Sequence, residues 1–140
     1  MTEEVLVSIR GFQFGGDNGE DSVEIVTNGK YKKKGTKGYL RFEQFEEDEG
    51  MTKNILSFEE GTVSLTRRGA SQLHMSFLTG KKTLTSYGTP FGEIVMGLDT
   101  KKIRIEESEN EIRVVINYAM DMNYEYLTDC ELTVLITPRV

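Results

Sequence analysis

The chain has 140 residues, 37% of them hydrophobic and 29% charged, an ordinary globular composition of one domain's size that excludes a disordered chain and offers no segment of membrane-helix length. Its formal charge of -6 argues against nucleic acid as a partner, because non-specific binding of that kind neutralises phosphates with Lys and Arg. The single cysteine, Cys130, rules out an internal disulfide and a cysteine-based metal site within one chain, and with no apolar leader at residues 1–10 the expected compartment is the cytoplasm, with no membrane partner.

Val5, Val7 and Ile9 alternate with Leu6, Ser8 and Arg10, which predicts a first strand with one mainly apolar face. The run Gly15-Gly16-Asp17-Asn18-Gly19 follows; it lacks the Lys-Ser/Thr ending of a P-loop and opens no helix, so it reads as a connection and not a phosphate cradle. Val23, Ile25 and Thr27 share a face of the second strand, which Asn28-Gly29 interrupts. That dipeptide suits a type I′ turn or a bulge bending a longer strand around a barrel corner. The bend is preferred because residues 31–45 already form a hairpin about Gly35 and Gly38, with Leu40 and Phe42 on one face. Lys30, Lys32, Lys33, Lys34 and Lys37 make that hairpin basic between two acidic stretches. Solvated lysines that discourage edge pairing are the expectation, with a phosphate or acidic-partner site as the alternative.

From residue 54 to 105 the pattern is a ladder of short antiparallel strands with no room for a helix. Leu56 and Phe58 face Val63 and Leu65 across a Glu60-Gly61 turn. A second hairpin about Gly80-Lys81 sets Leu73, Met75 and Phe77 on the same face as Leu84 and Ser86, and sends His74 outward opposite Tyr87. Thr89-Pro90-Phe91-Gly92 reads as a type I turn, followed by two strands at 93–99 and 101–106. Ile112, Val114, Ile116, Tyr118, Met120 and Met122 hold period two over one long strand. Pairing it with the last strand through Asn123-Tyr124 conflicts with the apolar face Leu132, Val134, Ile136, which places a β-bulge between Tyr126 and Glu131. Roughly eight to ten strands with short connections predict an all-β antiparallel meander closed into a barrel, a two-sheet sandwich being the alternative.

Leu65-Thr66-Arg67-Arg68-Gly69, Met75-Ser76-Phe77, Gly80, Tyr87-Gly88-Thr89-Pro90-Phe91-Gly92 and Thr100-Lys101 occur in the order and spacing of a known group. In these the chain resembles the uncharacterised YwiB-like family of low-GC Gram-positive bacteria, over nearly its whole length. The resemblance implies a calycin-like, lipocalin-type β-barrel over residues 1–140 and, through that fold, a small apolar ligand; it brings no activity and no site residues. Asn123-Tyr124 departs from the Asn-Gly turn usual in the family, and with no Trp in the chain the lipocalin Gly-x-Trp signature is absent.

Arg67 falls on the face of Val63 and Leu65, opposite Asn54. An arginine turned into a barrel needs an anionic partner, and a carboxylate-bearing ligand would supply one; otherwise it reaches solvent at the barrel mouth or pairs with an internal Glu. Ser86 and Tyr118 are further polar handles for a mostly apolar cavity, or hydroxyls bonded to neighbouring strands. A lone histidine, a cysteine expected to be a small buried hydrophobe, and acidic pairs at turns supply no metal site, no cofactor site and no acid, base and nucleophile set. The expectation is a non-catalytic ligand-binding barrel. The alternative is an interaction module that uses the outer face or a homodimer.

Overall fold

A computed structural model describes residues 3–11, 24–46, 50–69, 72–89 and 92–139. They form ten strands: β1 (Glu4–Arg10), β2 (Glu24–Lys34), β3 (Lys37–Glu46), β4 (Gly50–Glu59), β5 (Thr62–Arg68), β6 (Gln72–Leu78), β7 (Lys82–Thr89), β8 (Gly92–Glu107), β9 (Ile112–Met122) and β10 (Glu125–Pro138). All adjacent pairs are antiparallel and belong to one sheet of order β6-β5-β4-β3-β2-β1-β10-β9-β8-β7. The sheet is a meander rolled so that the first and last strands pair and β6 and β7 become its two edges. It is a nearly closed barrel, and among the described residues no helix is long and apolar enough to cross a membrane.

Asn28-Gly29 is a bend, as the hairpin at 31–45 requires. β2 runs through it, pairing with β1 over residues 24–30 and with β3 over residues 29–34. Gly29 is needed at this corner because a Cβ there would lie 2.8 Å from both the Arg41 carbonyl oxygen and Val7 Cγ2. The hairpin between β4 and β5 has the predicted register, Phe58 opposite Val63 and Leu56 opposite Leu65, with Gly61 at φ +78°. The bulge in β10 lies between Tyr126 and Thr128 and turns Leu132, Val134 and Ile136 into the core. The strands expected at 93–99 and 101–106 are one continuous β8, interrupted only by a bulge between Thr100 and Lys102. The glycine-rich run at 15–19, Val23, most of the acidic loop after Phe45, and Pro90 with Phe91 lie outside the described residues.

The second predicted hairpin is wrong in register. The β6–β7 turn is drawn toward β8: Gly80 N–H donates to the Thr100 carbonyl at 2.9 Å and Thr100 N–H to that of Lys81 at 3.1 Å. β7 therefore takes its register from β8, with Thr83 opposite Leu98 and Thr85 opposite Met96, both of which are core residues. Parity then puts Leu84 and Ser86 on the outer face, where Leu84 is 58% exposed. Period two had assigned both to the interior, and a turn one residue off reverses every side chain after it. Between β6 and β7 there is no ladder. Instead the Thr83 hydroxyl donates to the Ser76 carbonyl and the Thr85 hydroxyl to that of His74 at 2.6 Å, standing in for missing backbone donors.

The core is the inner face of the roll. Val5, Val7, Leu40, Phe58, Val63, Met75, Phe77, Met96, Leu98, Ile116, Leu132 and Ile136 are fully buried. Each contributes about 1.5–3 kcal/mol by leaving water, and together they fill the lumen with side chains as small barrels commonly do.

Candidate functional site

Asn54 and Arg67 are cross-strand neighbours on β4 and β5, as their spacing from the Glu60-Gly61 turn dictates. Asn54 is buried and its Nδ2 donates to Gln44 Oε1 at 3.1 Å; Arg67 is half-buried. Both line an internal cavity with Phe42, Ile9 and Leu132, so the inward direction of Arg67 holds. The cavity has only about 30 Å³. That is room for about one water molecule, far below the ~300 Å³ at which small-molecule sites begin.

Neither of the other predicted handles lines this cavity. Ser86 is on the outer face, as described above. Tyr118 is buried elsewhere, edge-on to Phe77 with ring centroids 5.0 Å apart, and shares a hydrogen bond with Cys130, its partner on β10. Burial, and then the neighbouring thiol, push the Tyr118 hydroxyl far above its ordinary range. Burial also raises the Cys130 thiol, which stays protonated and poorly nucleophilic. His74 is exposed on the outer face, its ring nitrogens 2.9 Å from Thr66 Oγ1 and 3.2 Å from Ser76 Oγ. Among the described residues no three His, Cys, Asp or Glu side chains converge to hold a metal.

The space missing from the lumen is found at one mouth of the barrel. In a meander, alternate turns share an end, so Gly35-Thr36, Glu60-Gly61 and the 108–111 turn come together there. Two depressions open between them. One, of about 520 Å³, is lined by Thr36, Phe58, Glu59, Glu60, Ile103 and Ile105 among others. The second, of about 490 Å³, is lined by Tyr31, Lys32, Lys33, Ser108, Ile112 and Glu3. Glu107 borders both and accepts a hydrogen bond from Lys33 Nζ at 3.3 Å, so an ion pair from β2 to the end of β8 spans the mouth between them.

Beneath the pair lie two stacked rings, Tyr31 and Phe58, with centroids 6.1 Å apart and planes 16° from parallel. The Phe58 ring occupies the place of a Gly38 side chain, where a Cβ would come within 2.6 Å of Cζ. Tyr31 is only 6% exposed, and its hydroxyl is buried with no hydrogen-bond partner among the described residues. Burial first, and the Glu107 carboxylate second, raise its pKa, so the phenol keeps its proton and remains a donor. The signal for this site was in the sequence: Tyr31 is in phase with Ile25 and Thr27 and therefore points inward, and a buried tyrosine ordinarily needs a partner for its hydroxyl. The surrounding lysines are what suggest a solvated hairpin there.

The model of a family described as a domain of unknown function, DUF1934, matches residues 7–134. The uncharacterised β-barrel protein YwiB of Bacillus subtilis (strain 168) is 34% identical over 109 residues, which are 78% of this chain and 76% of that protein. The crystal structure of the ywiB protein from Bacillus subtilis matches with a TM-score of 0.79 at 25% identity, covering 99% of this chain and 93% of the other.

Proposed function

The chain belongs to the DUF1934 family, whose function is unknown, and from its own site we propose that it is a non-catalytic binding protein for a small ligand with a carboxylate head and an apolar body. One observation carries this reading: a buried, protonated tyrosine hydroxyl without a partner among the described residues, on a side chain that lines a depression of about 490 Å³. Leaving such a donor unpaired costs about 1–3 kcal/mol. A carboxylate seated there would accept from Tyr31 Oη and from Lys33 Nζ, exchanging the exposed Lys33–Glu107 pair for a better-shielded one. Ile112, though almost wholly buried, borders the depression where the rest of the molecule would lie. The volume lies inside the range of small-molecule sites. The polar groups of this depression suit recognition: its Ser108 hydroxyl donates to the Glu111 carbonyl.

Titration of ¹⁵N-labelled protein with octanoate and with benzoate tests this. Amide shifts are expected at residues 31–33 and 107–112, and Tyr31→Phe is expected to weaken binding about tenfold or more. Absence of shifts at millimolar ligand, or shifts centred on Asn54 and Arg67, would overturn the assignment.

A further inference from the structure

β8 is paired with β7 only as far as Asp99, and the β6–β7 turn occupies the backbone of Thr100. From Lys101 to Glu107 the strand has β9 on one side and, among the described residues, no strand on the other. Alternate residues of an antiparallel strand turn their N–H and C=O groups away from its partner, so this stretch presents an unpaired ladder. Its sequence is Lys-Lys-Ile-Arg-Ile-Glu-Glu. An edge made safe by charge alone would carry one sign and repel its own copy. This one carries opposite signs at its two ends.

We propose that this edge pairs with the same edge of a second copy of the chain, antiparallel about a two-fold axis at Arg104, giving a symmetric dimer with one sheet continuous through both barrels. In that register Lys102 lies opposite Glu106 of the second copy, and Ile103 opposite Ile105, each pair occurring twice. Lys101 and Glu107 match in position, each already holding an ion pair within its own chain, with Asp99 and Lys33. Lys102, Arg104 and Glu106 are exposed on the outer face, while Ile103 and Ile105 are half-buried beside the depression of about 520 Å³. The dimer thus joins polar pairs outside to apolar pairs inside. Sliding the pairing two residues one way sets Lys102 against Arg104; the other way sets Arg104 against Glu106 but Ile103 against Glu107, so charge excludes the first register and hydrophobicity the second. The two Arg104 guanidinium groups meet at the axis in solvent, with a Lys102–Glu106 pair on either side. The proposal shares Glu107 with the ligand reading but rests on the β8 edge and not on the depression across the Lys33–Glu107 pair.

Sedimentation equilibrium of the full chain from micromolar to millimolar concentration tests it. A reversible monomer–dimer equilibrium is expected. Lys102→Glu should raise its dissociation constant about tenfold or more by opposing like charges at two places, and adding Glu106→Lys should restore it. In a Cys130→Ala background, Arg104→Cys should give a disulfide-linked dimer on mild oxidation, since opposed Cα atoms in either kind of antiparallel pair lie within disulfide reach. Arg113→Cys, one strand inward on β9, should not. Lys102, Arg104, Glu106 and Arg113 are exposed, and the Cys130→Ala background is common to both cysteine variants. A monomer at all concentrations, or a dimer that ignores Lys102→Glu and does not cross-link through Arg104→Cys, would overturn the proposal.

Discussion

Replacing Tyr31 by Phe should make the protein more stable and less able to bind. The ring is buried and stacked on Phe58 at 6.1 Å, and phenylalanine keeps that packing. What it removes is a buried hydroxyl that has no partner. Such a group forfeits about 1–3 kcal/mol of hydration without recompense. Removing it should therefore raise the unfolding free energy by about 1–2 kcal/mol, a rise in Tm of roughly 3–6 °C for a chain of this length. The same substitution deletes the donor that a bound carboxylate would use, so octanoate or benzoate affinity should fall about tenfold or more. Urea denaturation and calorimetry read the first effect, and the ¹⁵N titration reads the second. Opposite signs mark a residue kept for binding at a cost in stability. A Tyr31→Phe protein that is less stable than the parent would show that the hydroxyl is satisfied in solution, and the reasoning would fail with it.

Tyr124→Gly should stabilise by about 0.5–1 kcal/mol in urea melts, because Asn123 and Tyr124 hold φ values of 49° and 71°, a type I′ turn that favours glycine at its second position, and Tyr124 is 73% exposed; a loss would mean that the ring has packing of its own. Stability should fall in alkali. Burial keeps Tyr118 protonated in the fold, whereas in the unfolded chain it ionises near its ordinary 10.0. Its contribution is therefore complete below about pH 10 and is lost above it by up to about 1.4 kcal/mol per pH unit, with a smaller share from the less buried Cys130 beginning near 9.0. Urea melts between pH 7 and 11 should show this slope, and Tyr118→Phe should flatten it. The reversed face of β7 predicts that Leu84→Thr changes stability by less than about 0.5 kcal/mol, while Leu98→Ala on the facing strand costs about 2–5 kcal/mol; comparable losses at both sites would return Leu84 to the core.

Period two and turn chemistry made most of the barrel legible. Asn28-Gly29 as a bend, the β4–β5 register, the long β9 and the bulge after Tyr126 all follow from apolar spacing that must face one core. The failure at β7 has a tertiary cause. Its turn is bonded to Thr100, more than 15 residues further on, so the register comes from β8 and not from the hairpin. Arg67 and Asn54 were correctly turned inward, yet alternation specifies direction and not volume, and large side chains such as Phe42 and Leu132 leave little space beside them. The mouth depends on which turns meet at one end and on a hydroxyl without a partner. Neither quantity is local in sequence, although the phase of Tyr31 already pointed there.

The closure of this barrel brings its first and last strands together and leaves the sheet's edges to two strands from the middle of the sequence. Glu4 and Arg139 are bound to each other, backbone N–H to carbonyl at 3.1 Å and guanidinium to carboxylate at 2.8 Å, while the sheet terminates at β6 and β7, which a short turn joins covalently. A circular permutant that links the regions of Glu4 and Arg139 and opens the chain between Gly80 and Lys81 would keep every ladder between adjacent strands. In the natural order β1 waits for more than a hundred residues before β10 can cover its flank. The chain therefore completes its fold at the ladder of highest contact order, and until then β1 remains an open edge.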